Sequence, residues 1–315
     1  MTTPPNPAHG NLHDGQASSD AVMSATQPFF WSVRREVWEN RSIYIAPLAA
    51  AGVAMLGFLI GLLVAPHSHH GQGSGETGEQ FIMMVMPYGH TCWLLLISAF
   101  VVGVFYSLDA LYGERRDRSI LFWKSLPVSD VTTVLSKASI PLVVLPALVV
   151  LITIATQLIM VVISTGVLLL SGNNPLTMWK QLPLLQMQLV LIYGVIALAL
   201  GQLPLFAGLL LISSWARRMA ILWAILPPLA ICFVEKLVFK TMHLAHLLGY
   251  LITGGTANAF AFRTPSGEPV DPHFIPLAQI TPGRFLSSPG LWIGLAFAAA
   301  FLAAAVRLRR FREPI

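Results

Sequence analysis

Charge is what this sequence has least of. Only 10% of its 315 residues are Asp, Glu, Lys or Arg, against 55% hydrophobic, and mean hydropathy is +0.70. Soluble domains carry about 25% charged residues, so a water-covered globule is excluded and lipid must cover much of the surface. Cysteine is nearly absent too. Cys92 and Cys232 both fall inside apolar runs, which leaves no disulfide framework and no cysteine metal site; they read as small packing residues. Lysine and arginine are missing from residues 1–27, which are rich in Pro, Gly, Ser and Asn. Without a basic stretch before an apolar one, this segment is not a cleavable signal peptide. It reads as a disordered cytoplasmic tail.

Catalytic signatures are missing as well. The chain has no G-x-x-x-x-G-K-[ST] phosphate loop, no H-E-x-x-H and no G-x-S-x-G elbow. The net charge of +5 is spread beside apolar runs rather than gathered in a patch with aromatic residues. Nucleic acid is therefore not an expected partner.

What is present is a series of apolar runs long enough to cross a bilayer, which takes about 20 residues. Six are expected: 43–65, the later part of 81–108, 138–170, 188–215, 219–234 and 287–306. Met86-Pro87-Tyr88-Gly89-His90 reads as an interfacial entry to the second span. Gly201 and Pro204 are expected to kink the fourth, and Pro227-Pro228 to break the fifth. The fold class is thus all-α integral membrane with six transmembrane helices, and no internal repeat is found. Of the 19 basic residues, 14 fall on one side of this arrangement: Arg34, Arg35 and Arg41; Arg115, Arg116, Arg118, Lys124 and Lys137; Arg217 and Arg218; Arg307, Arg309, Arg310 and Arg312. The positive-inside rule puts that side, and both termini, in the cytoplasm.

Two further regions are patterned but do not span. Residues 28–41 place Trp31 and Trp38 among Arg34 and Arg35 at helical spacing, an amphipathic helix for the inner membrane interface. Residues 235–286 form a long outer segment, and its short apolar run at 244–253 reads as re-entrant. Candidate polar residues near span ends are His90, Asp109 and Glu235, each a functional candidate or an interfacial anchor. His67, His69 and His70 cluster in an outer loop without a carboxylate or cysteine beside them, so a polar loop is favoured over a metal site. Gly57-x-x-x-Gly61 and Gly290-x-x-x-Gly294 permit close helix approach.

The most informative stretch joins spans two and three: Tyr112-Gly-Glu-Arg-Arg-Asp-Arg-Ser-Ile-Leu-Phe-Trp-Lys-Ser-Leu-Pro-Val-Ser-Asp130, then Lys137. Dense charge is followed by Ile120, Leu121, Phe122, Trp123 and Leu126 on a short helix that Pro127 ends. Ser129 or Asp130 caps the next helix. Such a helix either lies on the membrane or docks into a groove on a soluble partner.

Over roughly residues 28–310 the sequence resembles the ABC-2 family, the membrane subunits of ATP-binding-cassette exporters. The resemblance rests on Glu114, the apolar stretch 120–126, Leu126-Pro127-Val128-Ser129, and Lys137 opening span three. Arg118-Ser119 stands where the commoner family loop has Gly-Thr, and Phe122-Trp123 is bulkier than usual. The resemblance implies a permease domain at 28–315 in the bacterial cytoplasmic (inner) membrane, and no ATPase site of its own. A separate ATP-binding-cassette subunit would hold ATP and Mg. Glu114, Ile120, Leu121, Phe122, Trp123, Leu126 and Pro127 would couple to that subunit, and permease chains would pair as a homodimer or heterodimer. The competing expectation is an ATPase-independent transporter or a membrane assembly scaffold, which would show no ATPase partner.

Overall fold

The computed structural model describes residues 27–68, 77–117, 129–172, 174–263 and 275–311. An amphipathic helix, α1 (Gln27–Glu39), leads into α2 (Ser42–Ser68) and α3 (Thr77–Asp109). A short α4 (Tyr112–Arg116) and α5 (Asp130–Ser139) flank the segment 118–128, which lies outside the described residues. A π-helical turn at Ile140–Val144 carries α5 directly into α6 (Leu145–Leu170). Then come α7 (Pro175–Gln181), α8 (Leu184–Trp215), α9 (Ala220–Val234), α10 (His243–Thr253), α11 (Thr256–Ala259), α12 (Pro282–Leu286) and α13 (Pro289–Phe311).

Six helical stretches are long and apolar enough to cross a membrane: Ser42–Val64, Val85–Arg116, Asp130–Leu170, Met178–Trp215, Ala220–Phe239 and Pro289–Phe311. The shortest, Ala220–Phe239, has 20 residues, a rise of about 30 Å, which matches the hydrocarbon core. Their outward faces explain why lipid is needed. Leu48, Val53, Leu56, Ile60 and Leu63 of α2 are all exposed, and beyond Ala220 no residue of the fifth stretch is buried. This is an all-α, multi-pass membrane protein.

One expectation fails in detail. Pro227 and Pro228 do not break the fifth span, because α9 runs through both. Two prolines cost two backbone hydrogen bonds, but their φ suits a helix, and non-helical backbone facing lipid would leave more groups unpaired. Pro87 also lies inside a helix, α3, with Val85 and Tyr88 buried in the cluster that holds Met160. The helix that carries the third span starts at Asp130, eight residues before its charge-free run, and Ser129, one of the two expected caps, accepts a hydrogen bond from Thr132 N at 3.1 Å.

Small residues set the closest approaches. In α13, Gly294 faces Pro204 of α8 and Ala305 packs on Leu210, so the two helices run side by side in the same direction. Gly290 receives the Tyr250 side chain. Around Gly57 and Gly61 of α2, by contrast, a Cβ would meet nothing within 4 Å, so that pair makes no close helix contact. The segment after the fifth span folds back onto α8. The Glu235 carboxylate caps α10, accepting from Leu244 N at 2.9 Å and His243 N at 2.6 Å. The helix then lies along α8, where Gln202 donates to the Ile252 carbonyl at 2.6 Å. Gly254 and Gly255 (φ 61° and 65°) turn the chain back, and the Gly254 carbonyl rests directly on Gly201.

That contact has a measurable consequence. A methyl group on Gly201 would overlap the Gly254 carbonyl, both atoms being held by backbone. Gly201→Ala should destabilise the detergent-solubilised chain by about 1–3 kcal/mol or more, as overpacking does. Gly52→Ala, also helical but with open space around it, should be neutral or slightly stabilising. Thermal unfolding of the two variants checks this, and equal midpoints would contradict the packing.

Candidate functional site

At the end of the bundle where α1 lies and α13 finishes, ionic side chains meet in a buried cluster. They come from four elements, α1, α4, α5 and α13. Glu36 lies on α1 next to Val33 and Val37, which pack on Ile43, Tyr106 and Ile140. The helical turn that buries the valines therefore buries Glu36 too, to 1% exposure. Lys137 arrives on α5 between Ser136 and Ala138, both buried. Glu114 sits on α4, and Arg309 on α13 one turn beyond the buried Ala305.

The geometry is a chain of alternating charges. Lys137 Nζ lies 2.8 Å from Glu36 Oε1 and 3.1 Å from Glu114 Oε1. Arg309 reaches Glu114 Oε2 at 3.2 Å and Asp130 Oδ1 at 3.1 Å. Arg35 donates to Glu36 Oε1 at 2.8 Å and stands 3.8 Å from Glu114. The Tyr106 hydroxyl donates to Glu36 Oε2 at 2.8 Å. Arg35, Lys137 and Arg309 thus balance Glu36, Glu114 and Asp130. Beside them, buried Arg115 donates to the carbonyls of Ser213 and Ala216 at 2.7 and 2.6 Å. Ser213 Oγ in turn accepts from Leu111 N and Tyr112 N. Arg115 thereby satisfies carbonyls that the end of α8 leaves unpaired.

Burial alone would push the Glu36 carboxyl up. The charge of Lys137 and the hydrogen bonds from Lys137, Arg35 and Tyr106 outweigh it and hold the group below the usual carboxylate range. A depressed carboxylate contributes stability that is complete above its unfolded pKa and is lost as pH falls through the folded one. Glu39 shifts the opposite way, because burial outweighs Arg35 at 3.6 Å, but its side chain is 54% exposed and its effect is small.

The sequence-derived candidates divide. Glu114 and Arg35 lie in the cluster. Ile120, Leu121, Phe122, Trp123, Leu126 and Pro127 lie outside the described residues, between two anchored stems: Arg115 on α8 and Asp130 on Arg309. Trp31, Arg34 and Trp38 occupy the exposed face of α1. His90 is exposed beside a groove of about 800 Å³ between α2 and α3. Asp109 is exposed at the end of α3, and Glu235 is the cap of α10. His69 and His70 are outside the described residues, as is the side chain of His67. Among the described residues no three His, Cys, Asp or Glu side chains could hold a metal ion.

Glu36, Tyr106, Asp130 and Arg309 were not expected as site residues. The available signal was phase and isolation: Glu36 falls on the apolar face of α1, and Arg309 follows the alanine stripe of α13 at helical spacing.

Removing one partner of a buried pair typically costs about 3–5 kcal/mol, because the other charge stays buried. Lys137→Met should lower stability by that order and abolish the acid-induced destabilisation associated with Glu36. The double variant Glu36→Gln/Lys137→Met should recover part of the loss, a coupling read from thermal unfolding at pH 7 and below pH 4.5. Additive losses would contradict the direct pairing.

Compared with known proteins, the chain matches no family model, no curated protein and no solved structure.

Proposed function

We propose that the chain is the permease subunit of an ATP-binding-cassette exporter, driven by a separate ATPase subunit through the 112–130 loop. One observation carries the reading. The two stems of that segment are tied by buried ion pairs to the first and last long elements of the bundle, α1 and α13. A push on the segment is thereby transmitted to several helix ends together rather than absorbed by a loose loop. The sequence resemblance of Glu114, Leu126-Pro127-Val128-Ser129 and Lys137 to the ABC-2 family supports it independently, and six spans are compatible with it.

In this reading ATP and Mg bind the partner subunit, since this sequence lacks a phosphate loop. Permease chains pair around the export path. The basic end, with both termini, faces the cytoplasm of a bacterial inner membrane. ATP binding draws the ATPase subunits together, the 112–130 loop follows them, and the ionic cluster moves α1, α4, α5 and α13 as a unit.

The chain purified alone should show no ATPase activity, and gently solubilised from its host it should bring down a subunit that contains a phosphate loop. Trp123→Ala should insert normally yet lose the partner and transport, because tryptophan anchors of an interface typically contribute about 2 kcal/mol or more. Normal association with normal transport in that variant would rule out the docking role.

Orientation is tested with a cysteine-free background. Cysteine at Ser287, exposed at the end away from the ionic cluster, should react with an impermeant thiol reagent in intact cells. Cysteine at Asp117, whose side chain is 62% exposed beside the cluster, should react only after permeabilisation. The reverse pattern would invert the topology.

A further inference from the structure

The exposed face of α1 presents an arginine held between two indoles. Trp31, Arg34 and Trp38 follow at i, i+3 and i+7, so they stack on one side of the helix. The Arg34 guanidinium lies 5.2 Å from the Trp31 ring centroid and 5.1 Å from that of Trp38. Trp31 is 57% and Trp38 70% exposed, with Phe30 at 62% beside them. The opposite side of the same helix is consumed by packing and by the ionic cluster. Neighbouring Arg35 is bound into that cluster, whereas Arg34 forms no ion pair with any described residue.

The geometry points to a binding site for the phosphate of an anionic membrane phospholipid at Trp31, Arg34 and Trp38. Three features favour that occupant. The two rings hold the guanidinium within cation–π range without accepting its N–H groups as carboxylates would, and those donors bind phosphate oxygens in pairs. The aromatic residues around it are exposed at the level where α2 begins its crossing, where tryptophan suits the headgroup region. The surrounding end of the bundle adds exposed Arg41, Arg217, Arg218, Arg307 and Arg310, none of them ion-paired to a described residue, so the local field favours an anion. A zwitterionic lipid offers the same phosphate but brings a cation toward this field. The site therefore prefers anionic lipid, and it needs no ATPase partner to do so.

The full chain is reconstituted in nanodiscs of phosphatidylcholine containing a fixed minor fraction of phosphatidylglycerol. Tryptophan emission is compared when either lipid carries brominated acyl chains at equal mole fraction. Brominated phosphatidylglycerol should quench more than brominated phosphatidylcholine, matching about fivefold enrichment at α1. That excess should vanish in Trp31→Phe/Trp38→Phe and fall to near nothing in Arg34→Gln, with folding of both checked by unchanged thermal midpoints. Equal quenching by the two lipids in the unmodified chain would overturn the site. An excess that survives Arg34→Gln would also overturn it, assigning the effect to the general basic field. A change of emission on adding millimolar inorganic phosphate, without any lipid preference, would overturn the lipid as the source.

Discussion

Everything at the ionic end of this molecule depends on burying charges where they cannot be left unpaired. An isolated ion in a low-dielectric interior costs far more than the fold can supply, so each buried carboxylate needs a cation and further hydrogen bonds. Lys137 supplies this for Glu36 and Glu114 at once, and Arg309 for Glu114 and Asp130. Such a network adds little net stability compared with an apolar core. Its value is geometric, because pairing these charges ties the ends of α1, α4, α5 and α13 to one another.

That requirement explains an arrangement which the spans alone leave open. Apolar helices in lipid gain little by choosing one neighbour over another. Two kinds of contact make the choice here. At one end it is the ionic cluster, together with Arg115 closing the end of α8. In the body and toward the other end it is close approach at small residues: Gly294 on Pro204, and Gly201 under the Gly254 carbonyl. The helices least involved in either, α2 and α9, carry the most exposed apolar side chains.

The architecture was legible in the sequence where physics permits few solutions. A bilayer demands a fixed length of unbroken apolar helix, and all six spans were found from that alone. The α1 helix followed from amphipathic spacing. Proline misled, because an isolated rule about helix breaking ignores that lipid penalises the alternative more. Glu114 and Lys137 were legible only as parts of a resembling motif. Glu36 and Arg309 were not, because their partners lie far along the chain: Glu36 to Lys137 and Arg309 to Glu114 are pairings of tertiary structure, which helical periodicity cannot report. Residues 120–127, where the sequence places its most specific signal, lie outside the described structure, so their role rests on sequence and on the stems that hold them.

Hydrogen exchange on the Glu114→Gln variant bears most directly on the claim that the cluster joins four elements into one unit. Removing the shared carboxylate should deprotect amides in α1, α4, the start of α5 and the end of α13 together, leaving the α8–α10 contact at Gly201 protected. Deprotection confined to α4 would show that Glu114 acts only locally, and the account of the cluster as a transmitting joint would be wrong.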